Sequence, residues 1–351
     1  MKQFNFNQVI SKTRIQGFVD FMLALNQQIG FKVSSRGWGY IMEQKGIITK
    51  DQFDKIEDVI NRARRKGMLP VDFVAEEKAR EFEEVHRPTT DSYGAHISSW
   101  IDAAFDCDSY YEPDWWKGEE YYIQMVVEKI DLVSLFQPLC RKYHIPIANS
   151  KGWSSILQRA EYCRRFKRAE RRGLKCVLLY CGDHDPDGLR ISDTLRKNLE
   201  DISGITWGNG ERGYDPSTLE IRRFGLDYNF IIENNLTWID NLITGSGGNL
   251  ASPKHPNHNL AYVQEYLSTV GPRKCEANAL VIAPEAGRQL CEETIIEYLG
   301  EDALDRFDER RREVREAIDR VLDNSGARDL LRDAKRAAEN FTDEDEDNDD
   351  E

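Results

Sequence analysis

Two short apolar runs that end in acidic residues organise the middle of the chain. Residues 121–127, YYIQMVV, run directly into Glu128, and residues 177–180, VLLY, lead into Asp183, Asp185 and Asp187. Each run is β-branched or aromatic in character and bounded by turn residues, which predicts a buried strand. A basic, helix-compatible segment of about fifty residues lies between them, so the pattern is β-α-β with a parallel sheet. Upstream the period becomes helical. Residues 8–29 carry Val9, Ile10, Phe18, Phe21, Met22, Leu23 and Leu25 and end at Gly30. Ser34 or Ser35 caps a second helix through Arg36, Trp38, Tyr40, Ile41 and Met42 that stops near Gly46. Thr49 caps a third, with Phe53, Ile56, Val59 and Ile60 on one face.

Three short helices with an extended exit at Met68-Leu69-Pro70 suit a helix-turn-helix or winged-helix domain. Residues 71–87 read as helical and 88–100 as a loop. The aromatic, acidic run 107–118 is expected to pack between domains or against a second subunit. Two glycine-rich loops fall within 200–270, and neither has the Gly-Lys-Ser/Thr of a phosphate-binding loop. His255 and His258 sit in the second and read as surface loop before metal site. Residues 301–340 form a charged helical pair, and 341–351 an acidic tail disordered on composition. The predicted organisation is α/β: a helical, winged-helix domain over 1–75, a connecting segment over 76–118, a parallel-sheet domain over 119–300, then the charged helices and the tail.

The chain has 351 residues and a net charge of −14. The last eleven residues hold eight negative charges. Residues 1–70 carry twelve Lys/Arg against six Asp/Glu, and 151–175 carry nine against two. Charge is therefore segregated, and the two basic regions are where a DNA-binding surface would need it. No stretch approaches a membrane span. Seven scattered cysteines with no C-x-x-C pair argue against a disulfide framework or a zinc site and point to the cytoplasm.

In an open parallel sheet, chemistry collects at the carboxyl ends of the strands, where both acidic clusters fall. Glu128, Asp183, Asp185 and Asp187 brought together there would repel unless a cation sat among them, and oxygen-only ligands favour Mg²⁺ or Mn²⁺.

A strand ending in Glu and a later strand ending in Asp-x-Asp resemble the Toprim domain of topoisomerases, primases and related nucleases. The string GDHDPDGLRI, together with VEKIDLV, IPIANSKGWSS, RRFGLDYNFIIENNL and KCEANAL, is similar to one branch of it. That branch comprises the A subunit of topoisomerase VI and the meiotic double-strand-break transesterase. The resemblance spans roughly residues 31–280. It implies that Tyr40 is the nucleophile that attacks a DNA phosphodiester and Arg36, four residues earlier on the same helix face, its arginine. It implies a divalent ion on Glu128, Asp183 and Asp185, with Asp187 a weaker ligand, and Glu128 as general acid to the leaving oxygen. Double-stranded DNA as substrate, a homodimer in which one subunit's tyrosine serves the other's Toprim site, and a separate ATPase subunit follow from the same resemblance. Gly37 and Gly39 depart from the branch's pattern, either for close approach to DNA or because the tyrosine is no longer held for chemistry. The residues also admit a Toprim nuclease that uses water, with Tyr40 structural, and a non-catalytic DNA-binding protein.

Overall fold

The computed structural model describes residues 15–70, 73–75, 93–150, 156–207, 209–243 and 248–339. In chain order the elements begin with α1 (Ile15–Ile29), β1 (Val33–Ser34), α2 (Ser35–Gln44), α3 (Phe53–Arg65), β2 (Val74–Ala75), α4 (Tyr93–Phe105) and α5 (Cys107–Tyr110). The middle of the chain supplies β3 (Tyr121–Val127), α6 (Ile130–Lys142), β4 (Ile147–Asn149), α7 (Ile156–Glu170), β5 (Lys175–Cys181), α8 (Ile191–Glu200) and β6 (Glu220–Phe224). Helices close it: α9 (Tyr228–Glu233), α10 (Ala261–Thr269), α11 (Ala279–Ile282), α12 (Pro284–Leu299), α13 (Ala303–Asn324) and α14 (Ala327–Glu339). Among the described residues no helix is long and apolar enough to cross a membrane. The described residues divide into two compact units, those within 1–80 and 118–299, and those within 81–117 and 300–351.

The first unit is built on a four-stranded, wholly parallel sheet in the order β4-β3-β5-β6. Six of the seven residues of β3 and of β5 are buried, because a parallel sheet is covered on both faces. Fully burying a Val, Leu or Ile side chain contributes roughly 1.5–3 kcal/mol, so these two runs anchor the unit. Val127 pairs with Cys181 and Cys181 with Phe224, which brings the carboxyl ends of β3, β5 and β6 level. The connection from β3 to β5 is not a single crossover. The short strand β4 intervenes and pairs on the far side of β3, so the path is β3-α6-β4-α7-β5.

In the same unit α1, α2 and α3 form a helical layer. The Ser34 hydroxyl accepts from Gly37 N at 3.0 Å and caps α2, while Thr49 and Gln52 form a reciprocal capping box ahead of α3. Phe53, Ile56, Val59 and Ile60 are buried as their spacing predicts, and Trp38 is buried and stacked on Phe73 with centroids 5.2 Å apart. Residues 73–75 are not helical as the pattern suggested, since β2 pairs in parallel with β1 through Val33 and Val74. The rest of the helix expected before residue 88, the positions Val9 and Ile10, and the acidic tail lie outside the described residues.

Gly37 and Gly39 have a reason internal to the fold. A Cβ at Gly37 would lie 2.1 Å from Asp131 Oδ2 and 2.6 Å from Val33 Cγ1, and one at Gly39 would lie 2.8 Å from the Phe53 ring. The two glycines let α2 press onto its neighbours, and the seam is closed by Ser34 N donating to Asp131 Oδ1 at 2.8 Å.

The second unit consists of α4, α5, α13 and α14. The loop expected over residues 88–100 is helix from Tyr93 onward, and α4 packs against α14. The run 107–118 packs against α13: Trp115 meets Phe307 at 4.6 Å between centroids, Arg310 donates to Trp115 O at 2.8 Å, and Glu112 and Asp108 face Arg311 and Arg315. All seven cysteines are unpaired, and every one except Cys107 is buried.

Candidate functional site

The level ends of β3 and β5 place Glu128 beside Asp183. Asp183 N donates to Glu128 Oε2 at 2.9 Å, and the Lys129 ammonium bridges Glu128 Oε1 at 2.9 Å and Asp183 Oδ2 at 3.0 Å. The other Asp183 oxygen, Oδ1, accepts from Ala277 N at 2.8 Å. The strand ends thus bring together the two predicted carboxylates, and the cation between them is the chain's own lysine.

The DHDPDG loop then turns tightly. Asp185 Oδ1 accepts from Gly188 N at 2.7 Å, and a Cβ at Gly188 would sit 2.3 Å from Asp183 O, so only glycine lets the loop close. Asp187 is exposed and accepts from Tyr262 Oη at 2.9 Å. Arg223, on β6, donates to the carbonyls of Asp183, Gly188 and Leu226, each at 3.2 Å, and holds the loop from beneath.

All four predicted carboxylates line one cavity of about 720 Å³. Tyr40 lines it too, from α2 of the same chain; its ring packs edge-on to Phe53, and the Lys50 ammonium lies 5.9 Å from its centroid. Arg36 does not line the cavity. It is exposed, 3.8 Å from Glu57, with its guanidinium over Phe53. A helix places residues four apart on one face, and both side chains meet the Phe53 ring, but only Tyr40 reaches the cavity.

Several residues of the site were not foreseen. Glu276, from the KCEANAL run, is buried between Lys274 at 3.0 Å and Lys50 at 3.6 Å. The run reaches the cluster because His184 and Cys275 exchange backbone hydrogen bonds at 2.8 and 3.1 Å. The cavity's cations are Lys50, Lys129, Arg190, Lys197 and Lys274, against the carboxyls of Glu128, Asp183, Asp185, Asp187, Asp193 and Glu276. Six carboxyls against five cations leave a nearly balanced cavity, which a phosphodiester can approach. The basic helix α7, expected to supply that balance, contributes none of the lining. Its Arg159, Arg164 and Lys167 bind Asn198 O at 2.8 Å, Glu211 at 3.1 Å and Gly213 O at 3.0 Å. His255 and His258 lie in a turn-rich loop, where the His258 ring meets Leu250 O at 2.9 Å.

The electrostatics differ across the cluster. Burial, reinforced by Glu128 and Glu276, pushes the Asp183 carboxyl up to about 7 against the pull of Lys129. Burial also raises Glu128, but the Lys129 ammonium and the Asp183 N–H outweigh it and hold Glu128 below its ordinary value. Asp185 is raised, mainly by burial, with Glu128 and Asp187 adding to it.

The donor set at the strand ends is carboxylate oxygen alone, which suits Mg²⁺ or Mn²⁺. The spacing is that of the ammonium-bridged state: among the described residues no three acidic, His or Cys side chains converge as ligands of one ion. Glu128, Asp183 and Asp185 would hold such an ion, and the Lys129 ammonium stands between the first two.

Comparison with models of known families, with curated proteins and with solved structures finds no match to this chain. The class that the fold defines is an α/β protein with a parallel sheet and an acidic, lysine-bridged cavity at its carboxyl edge.

Proposed function

We propose that the chain cleaves DNA by transesterification, with the parallel-sheet domain acting as a Toprim domain and α1–α3 as the winged-helix domain that delivers the tyrosine. The observation that carries this reading is that Tyr40 and the Glu128–Asp183 pair, 143 positions apart at their extremes, line a single cavity within one chain. The Tyr40 Oη attacks the phosphorus, a phosphotyrosyl bond forms, and the bond to the deoxyribose oxygen breaks. The phenolic proton passes to a carboxylate of the cavity, and the leaving oxygen takes a proton to become a hydroxyl. Of the two paired carboxyls, burial raises the proton affinity of Asp183 whereas the Lys129 ammonium and the Asp183 N–H hold that of Glu128 down, so the donor role assigned to Glu128 fits Asp183 better.

Lys50, Lys274 and Lys129 place positive charge where the phosphoryl oxygens would lie. A divalent ion held by Glu128, Asp183 and Asp185, with Asp187 at the margin, would supply further neutralisation of phosphoryl charge. Because Tyr40 and the carboxylates line one cavity within one chain, a homodimer would serve to cut both strands rather than to assemble the site. Strand passage would fall to a separate ATPase subunit.

One observation favours a second reading, hydrolysis by a Toprim nuclease. Arg36 is engaged outside the cavity and Tyr40 is half-buried against Phe53, as a packing residue would be. Incubation with supercoiled plasmid and Mg²⁺ or Mn²⁺, quenched with denaturant with and without protease, separates the two. Transesterification leaves protein on the DNA ends, and Tyr40→Phe removes both adduct and cleavage. Full cleavage by Tyr40→Phe, abolished by Asp183→Ala, would establish hydrolysis instead.

A further inference from the structure

A second cavity of about 790 Å³ adjoins the acidic one, and Arg190 and Tyr262 line both. Its lining differs in kind: Tyr228, Tyr262 and Tyr266 supply aromatic surface and Pro186, Leu189 and Val270 apolar surface, with Glu265 and Thr269 its polar members beside Arg190. The Arg190 guanidinium lies 4.9 Å over the Tyr262 ring, and the Tyr262 hydroxyl donates to Asp187. This tyrosine therefore presents its polar tip to the carboxylates and belongs by its ring to the aromatic chamber.

His184, 3% exposed, also lines the chamber. Its Nδ1 meets the Leu226 carbonyl, which can only accept, so Nδ1 carries the hydrogen. Its Nε2 has no hydrogen-bond partner among the described residues. With Nδ1 donating, Nε2 is an unpartnered acceptor on the chamber's wall.

We propose that this chamber takes a nucleobase unstacked from a DNA strand whose phosphate lies in the acidic cavity, so that the protein prefers single-stranded or locally opened DNA to closed duplex. The inference rests on the DNA-cleaving reading above and adds the form of the substrate. Aromatic faces accept the face of any base, whereas a base in closed duplex has its faces already stacked. A guanidinium over a tyrosine ring at the shared wall adds positive charge where the strand passes from phosphate to base. The chamber's volume falls in the range of small-molecule sites, ample for one base.

The full chain tests this with one oligonucleotide carrying a single 2-aminopurine, offered as single strand and as duplex at the same salt concentration. Ala261→Trp, at an exposed position on the first turn of α10, fills the chamber, and Tyr228→Ala, at a side chain 40% exposed, removes one wall. Unchanged melting confirms that each variant is folded. The single strand is expected to bind about tenfold tighter than the duplex, with 2-aminopurine emission changing on binding, and both variants are expected to bring the ratio to about one. Equal affinity for the two forms in the unaltered protein, or a ratio that both folded variants leave intact, would overturn this inference while leaving the DNA reading standing. Binding of neither form would overturn both.

Discussion

The backbone N–H of Asp183 donates to Glu128 Oε2 at 2.9 Å and ties the carboxyl end of β5 to that of β3. One hydrogen bond thus joins positions 55 residues apart and sets the spacing on which the rest of the site depends. Removing either carboxylate leaves the half-buried Lys129 ammonium with only one of its two counter-charges. Glu128→Gln and Asp183→Asn are therefore each expected to lower DNA cleavage by about 10²–10³-fold while the chain stays folded. Near-normal cleavage by either folded variant would remove the pair from the chemistry.

Lys129 connects the same two carboxylates and stands where a divalent ion would have to enter. Lys129→Met leaves two adjacent anions without their bridge and is expected to cost on the order of 1–3 kcal/mol, discounted from a fully buried pair because the lysine retains some exposure. Added Mg²⁺ or Mn²⁺ should recover more melting temperature in this variant than in the unaltered chain, since the ion no longer competes with an ammonium. Identical metal responses in the two proteins would count against an ion site between Glu128 and Asp183.

Two glycines, one at the seam between α2 and α6 and one on an open helix face, are expected to respond oppositely to alanine. Gly37→Ala forces a methyl against Asp131 and Val33 and is expected to destabilise by about 1–3 kcal/mol. Gly17→Ala, on an open face of α1 with nothing within 4 Å, is expected to stabilise by about 0.5 kcal/mol. Thermal melts of the two variants check this, and a Gly37→Ala chain as stable as the original would dismiss the close-packing account.

Much of this was legible before any coordinates because its signals are local. The caps at Ser34 and Thr49, the apolar face of α3 and the buried runs of β3 and β5 all follow from short-range pattern, and the register of two parallel strands then puts Glu128 beside Asp183. What was not legible depends on contacts between distant segments. Nothing in the run KCEANAL announces that Ala277 N will meet Asp183, or that Glu276 will sit between two lysines. Arg36 and Tyr40 share a helix spacing, but the position of Phe53 and Glu57 on α3 decides where the arginine goes. Residues 93–100 look like loop because their polar positions break the period, and they are helical because α14 offers a surface to pack on.

Asp131 provides a pH test away from the cavity. Burial raises its pKa, against hydrogen bonds from Ser34 that lower it. The folded state therefore holds this proton at higher pH than the unfolded chain does, and its contribution to stability is lost as pH rises through the carboxylate range. Asp131→Asn keeps an oxygen to accept from Ser34 N and removes the titration. The melting temperature of the unaltered chain relative to this variant should fall as pH rises from about 4 toward neutrality. A flat or rising difference would show that the carboxylate is better accommodated than its burial implies.

The most direct measurement maps the site of covalent attachment. DNA complexes trapped with denaturant are digested with nuclease and protease, and the peptides are weighed by mass spectrometry. A nucleotide remnant on the peptide that contains Tyr40, absent in Tyr40→Phe, is the predicted result. DNA cut by the protein with no remnant on any peptide, or a remnant on a different residue, would contradict it.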